Sequence, residues 1–151
     1  MPIRVLYGVL AVALTVAAAA CDEKLSDLTG PTPNLEVTFS SIQREIFDTT
    51  DSSGRTACIQ CHAPVGGRAA AAGLNLTSGT SYASLVNVPS PLKPGAIRVI
   101  PGDPDNSYLV HKLEGRADIV GLRMPRNQGP FLTEGQMLVI RKWIAQGARN
   151  D

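Results

Sequence analysis

Two cysteines stand three residues apart, and a histidine follows the second at once: Cys58-Ile59-Gln60-Cys61-His62. On a helical turn, positions i and i+3 share one face, so both thiols point the same way. The next position then presents an imidazole from beneath. This C-x-x-C-H string is the attachment signature of a c-type haem, with the thiols reaching two vinyl groups of one porphyrin and the imidazole reaching its iron. Thioether bonds would make that cofactor permanent, so it could not be lost by dilution outside a cell. A fold that meets this requirement has to wrap both faces of a large flat aromatic group.

Three other readings of the pair carry less. A dithiol redox pair needs a buried strand feeding the motif, whereas Asp51-Ser52-Ser53-Gly54-Arg55-Thr56 reads as a polar turn. Structural zinc needs four ligands, and beyond Cys58, Cys61 and His62 only His111 is an apparent donor. A disulfide from Cys58 to Cys61 would close a tiny loop and stabilise little. The chain has three cysteines in all, so no disulfide scaffold is available. It also has one Trp, three Tyr and three Phe, sparse for a core of this size unless a porphyrin supplies aromatic bulk.

The third cysteine closes an address. Arg4 precedes an uncharged run over residues 5–20 that ends in four alanines, and Cys21 follows. The run is shorter than the roughly 20 residues that span a bilayer as a helix. It resembles a bacterial lipoprotein signal, in which the first mature residue is a Cys that receives lipid, although Ala18 stands where that family prefers Leu. An ordinary secretory signal or an uncleaved anchor are the alternatives, and all three imply export. The expected organisation is a signal over 1–20, a lipid-anchored tether over 21–37 and a folded domain over 38–151. Residues 22–52 hold seven acids and two bases, net −5, and residues 53–149 hold five acids and eleven bases, net +6. No Lys/Arg run breaks this pattern, so a nucleic-acid grip has no footprint.

Helical signals dominate the body. Ser40 with Gln43 reads as a capping box ahead of Phe39, Ile42, Ile46 and Phe47 on one face. Asp103-Pro104 reads as a helix start leading to Leu109, Val110 and Leu113, with Gly115 as the stop. Thr133 with Gln136 is a second capping box, followed by Met137, Ile140, Trp143 and Ile144, and ended by Gly147. A short helix is expected near 81–86. Five prolines between residues 86 and 104 argue for a stiff ordered loop there. Ala69 to Ala72 look like filler. Strands should be few, and the fold class is mainly α.

From about residue 38 to 149 the chain resembles a bacterial monohaem cytochrome c domain. The resemblance rests on the CIQCH string, Gly73-Leu74-Asn75-Leu76, the run from Val99 to Leu109, Arg123-Met124-Pro125, and the last helix through Ala148. It implies a cytochrome c-like fold of three to five helices around one covalent haem c, bound by Cys58 and Cys61. It further implies His62 as proximal iron ligand, Met124 as distal ligand, and first and last helices crossing on one side. The loop over 87–103 is longer than in compact members.

Residue chemistry also bears on the distal position. Met137 falls on a helical apolar stripe, where Met is usually filler. Met124 lies outside the helices, and Pro125 biases it toward an extended backbone. His111, turned about 200° from Leu109 and Leu113, should face solvent. Met124 therefore leads, with His111 and Met137 as competing donors. Two axial ligands would leave electron transfer to redox partner proteins rather than catalysis. The alternatives are a haem enzyme or gas sensor with a labile distal ligand, and a haem-bearing subunit of a larger membrane oxidoreductase. Arg116, Arg123 and Arg126 would form a basic edge suited to an acidic partner, or would simply be solvated or pair with the propionates.

Overall fold

A computed structural model describes residues 30, 32, 34–126 and 129–151 of the chain. Cys21 and the expected signal lie outside these residues. The described part is mainly helical, with no named strand and four isolated bridges among the described residues. Its α-helices are α1 (Phe39–Ile42), α2 (Ser81–Leu85), α3 (Tyr108–Glu114) and α4 (Glu134–Ala145). Helix α1 runs directly into a π-helical turn, Gln43–Phe47, and 3-10 turns occupy Cys58–Gln60 and Ala71–Gly73.

The first helix is capped by Thr38, two residues before the expected Ser40. Thr38 is extended, and its Oγ1 accepts from the Ser41 N–H at 3.2 Å. The N–H groups of Phe39 and Ser40 go to the Asp151 carboxylate and carbonyl, at 2.8 and 2.9 Å. Gln43 is consequently free of any capping duty. Its buried amide donates to the Leu76 carbonyl and the Asp48 carboxylate and accepts from the Ser81 hydroxyl, joining three separate segments. The capping box at Thr133 and Gln136 forms as expected, with bonds of 3.2 and 2.9 Å closing both ways.

Helix α3 also departs from expectation, starting at Tyr108 rather than Pro104. Asp103 accepts instead from the Asn106 N–H and side-chain amide, which closes a local turn. The first free N–H groups of α3, on Tyr108 and Leu109, donate to the carbonyls of Ile97 and Arg98 at 2.9 Å each. A folded-back arm thus caps the helix where a side chain was expected. That arm is the proline-rich loop, closed on itself by bonds from Asn87 to Val99 and from Arg98 to Val88. Gly115 ends α3 in the left-handed region at φ 74°, as expected of a C-cap glycine.

Phe39 of α1 packs against Trp143 of α4, with ring centroids 5.2 Å apart, and against Tyr82 of α2 at 5.3 Å. Ile42, Ile46, Val139, Ile140 and Ile144 fill the space around them with essentially no exposure. Burying such a side chain contributes about 1.5–3 kcal/mol. Packing also reaches back into the stretch expected as tether: Leu35 is buried in this core, and buried Thr32 accepts from Gln136 at 3.1 Å. The folded body therefore starts before residue 38. No helix among the described residues is long and apolar enough to cross a membrane.

Candidate functional site

Against this core, with Ile46 and Phe47 among its lining residues, lies a cavity of about 380 Å³. Its walls include Cys58, Cys61, His62 and Met124 together with apolar side chains such as Leu74, Leu85, Leu109 and Leu113. The volume falls within the range of roughly 300–1,000 Å³ usual for small-molecule sites. Cys58 and His62 come from one tight turn, in which the N–H groups of Cys61 and His62 both donate to the Cys58 carbonyl, at 3.3 and 3.0 Å. Met124 arrives from the opposite end of the chain, held by its N–H to the Lys112 carbonyl at 2.9 Å.

The segment after the motif folds back over His62. The Ala71 N–H donates to the Cys61 carbonyl at 3.0 Å, and the Leu76 N–H to the His62 carbonyl at 2.7 Å. Nδ1 of His62 lies 3.1 Å from the Ala71 carbonyl. A carbonyl only accepts, so Nδ1 carries the proton and Nε2 is left with its lone pair. Burial holds the imidazole below its ordinary value of 6.5, outweighing the carbonyl contacts that favour the charged form. A neutral imidazole with one nitrogen anchored to a carbonyl is the form in which histidine ligates a metal. The alanines read as filler therefore supply the anchoring carbonyl.

The thiols are free. Burial pushes Cys58 up to about 11, against the pull of the Arg55 cation, so it remains a thiol at neutral pH. Its Sγ donates to the Ile46 carbonyl at 3.5 Å. Redox-active dithiols instead need a depressed pKa to generate the attacking thiolate. Among the described residues, no group of three or more His, Cys, Asp and Glu side chains converges on a common point. Cys58, Cys61 and His62 thus line the cavity side by side rather than enclosing one small ion. Two free thiols, a neutral imidazole and a thioether around an apolar slot fit a covalently attached haem in donor set and polarity.

The polar turn ahead of the motif proves to be a buried clasp. Arg55 is fully buried and forms an ion pair with the Asp51 carboxylate at 2.9 Å. Its guanidinium also donates to the carbonyls of Ile46, Glu45, Thr49 and Thr56. Ile46 thus accepts from both Arg55 and Cys58, and the π-helical turn is tied directly to the first cysteine of the motif. Burial opposes ionisation of Asp51, but hydrogen bonds from Ser53 and Gln136 with the Arg55 charge hold its carboxyl below 3.8.

The competing distal donors do not line the cavity. His111 is held at the surface of α3, with Nδ1 3.1 Å from the Asp118 carboxylate and Nε2 2.7 Å from the Asp105 carbonyl. Met137 packs against the hydrophobic core. Trp143 is likewise in that core, while Tyr108 does line the cavity. The expected basic edge contracts. Arg116 pairs with Glu114 at 2.8 Å, and Arg123 donates to the Leu113 carbonyl at 2.7 Å while its guanidinium lies 3.9 Å from the Phe131 ring centroid. Arg126 is the member of the three that lines the cavity. No protein-family model, curated protein or solved structure matches the chain.

Proposed function

We propose that this chain is an exported electron-transfer protein of the monohaem cytochrome c type, tethered to a membrane through lipid on Cys21. The observation that carries the reading is that both thiols, an imidazole with its Nδ1 committed to a carbonyl, and a thioether from 62 positions further on share one apolar cavity. Cys58 and Cys61 would hold the haem through two thioether links, while His62 Nε2 and Met124 Sδ would be the donors to its iron. When bound, the haem supplies a one-electron iron couple. The chain's own part would be to hold His62 and Met124 in place as donors and to line the site with leucines, so that the iron would have no position left for substrate. Met as second donor raises the potential relative to a second imidazole.

Mass spectrometry of protein made with a haem-attachment system should show one covalent haem on the segment holding Cys58 and Cys61. The reduced protein should bind carbon monoxide slowly or not at all. An unmodified polypeptide from its native host would overturn the reading. Rapid carbon monoxide binding by the intact protein would instead point to a haem enzyme or sensor.

A further inference from the structure

The stretch from Arg116 to Met124 has neither helix nor strand, and burial does not hold its middle. Val120 and Leu122 are 46% and 57% exposed. Side chains take up its backbone polar groups instead. The Asp118 carbonyl accepts from Lys93 Nζ at 2.8 Å, and those of Val120 and Leu122 accept from Lys112 Nζ at 3.0 and 2.5 Å. Three alternate carbonyls are thus taken by two ammonium groups. The Val120 N–H donates to the Tyr108 hydroxyl at 2.9 Å. Tyr108 and Lys112 stand four residues apart on α3 and share one face of it, so both polar groups of Val120 are met by that face.

Lys112 also meets the far end of the stretch, because its own carbonyl accepts from the Met124 N–H at 2.9 Å. One residue therefore grips the segment at Met124 itself and at the positions two and four before it. Burial holds the Lys112 ammonium below its ordinary range, a cost that the two carbonyl bonds offset. Arg123 adds one more tie to α3, its Nε donating to the Leu113 carbonyl at 2.7 Å. We propose that Lys112 is the positioning residue of the distal donor: its ammonium holds residues 120–122 against α3 and thereby keeps Met124 at the cavity. The inference rests on the function proposed above. Because the exposed side chains of this segment bury little, loss of the ammonium should free it without disturbing the core.

The test compares haem-loaded Lys112→Leu with the loaded parent, with covalent loading checked by mass spectrometry. In the oxidised variant, the charge-transfer band that a thioether gives on ferric haem should weaken, since part of the population has released Met124. In the reduced variant, carbon monoxide should bind faster, because it enters where Met124 has left. Each hydrogen bond is worth a factor of about 2–12 in an equilibrium, so losing two should raise that rate about tenfold or more. Amide exchange at Val120 and Met124 should quicken as well, a readout that does not pass through the iron. Lys112→Arg keeps the donors and should restore the band, and Arg44→Gln, which removes a charge beside Glu45, should match the parent. Since Lys112 acts through Met124, adding Lys112→Leu to Met124→Ala should leave the carbon monoxide rate of Met124→Ala unchanged. Should Lys112→Leu not accumulate, Lys112→Gln is judged by the same readouts. A loaded variant with the parent's band and rate, or an additive effect in the double variant, would overturn this inference alone. A parent chain without covalent haem would overturn the proposed function and this inference together.

Discussion

Replacing Asp51 by Asn should unfold much of this protein's margin of stability. The carboxylate is 1% exposed and its partner Arg55 is 0% exposed, so water can compensate neither. Oδ1 accepts from the Ser53 N–H, the Ser53 hydroxyl and the Arg55 N–H, and Oδ2 from Arg55 Nε and Gln136 Nε2. An asparagine can keep the first three bonds. Its NH2 group then faces two donors, and Arg55 becomes a buried cation with only carbonyls around it. Breaking a buried pair from one side costs about 3–5 kcal/mol, set against a total of about 5–15 kcal/mol for a domain. With a urea slope of about 1–3 kcal/mol per molar, the midpoint should fall by at least about 1 M. The pH dependence has a definite sign. Asp51 titrates below 3.8 in the fold, so its contribution is complete above that value and vanishes as pH falls through the lowered one. The gap between parent and variant should therefore close in acid. Urea titrations of both haem-loaded proteins at neutral and acid pH would measure this. A neutral-pH shift under about 0.5 M, or a gap that widens in acid, would refute the reasoning.

On the proposed haem ligation, Met124→Ala should leave the fold standing but remove one donor to the iron, so that the reduced protein binds carbon monoxide rapidly and its potential falls. Stopped-flow spectroscopy and a redox titration would register both changes. Gly115→Ala should destabilise by about 1–3 kcal/mol in thermal unfolding, combining a strained left-handed residue with a clash. A Cβ there would lie 2.7 Å from Cδ of Arg123, the residue just before Met124, so its stem would have to shift. Thr133→Ala should cost about 0.5–2 kcal/mol in denaturant titrations by removing the side-chain cap of α4.

Much of the helical layout was legible because local chemistry decides it. Thr133 with Gln136 and Gly115 satisfy terminal N–H and carbonyl groups from nearby in the chain, and both behave as the sequence implies. Where the expectation failed, a distant partner had taken the local role. Asp151 occupies the N–H groups of the first turn of α1, and the arm carbonyls of Ile97 and Arg98 occupy those of α3. Spacing along a chain cannot show a partner about 110 residues away.

The same division runs through the candidate site. C-x-x-C-H and a methionine beside a proline outside the helices announce themselves by residue type, since thiol, imidazole and thioether chemistry belongs to the side chain itself. That these groups line one cavity, and that His111 does not, depended on how the segments pack. Ala71 orients His62 with a backbone carbonyl, which every residue possesses and no residue code advertises. Arg55 and Arg98 look alike in sequence. Only the packed chain gives the first a carboxylate and leaves the second with carbonyls alone, because charge compensation is a matter of distance in space.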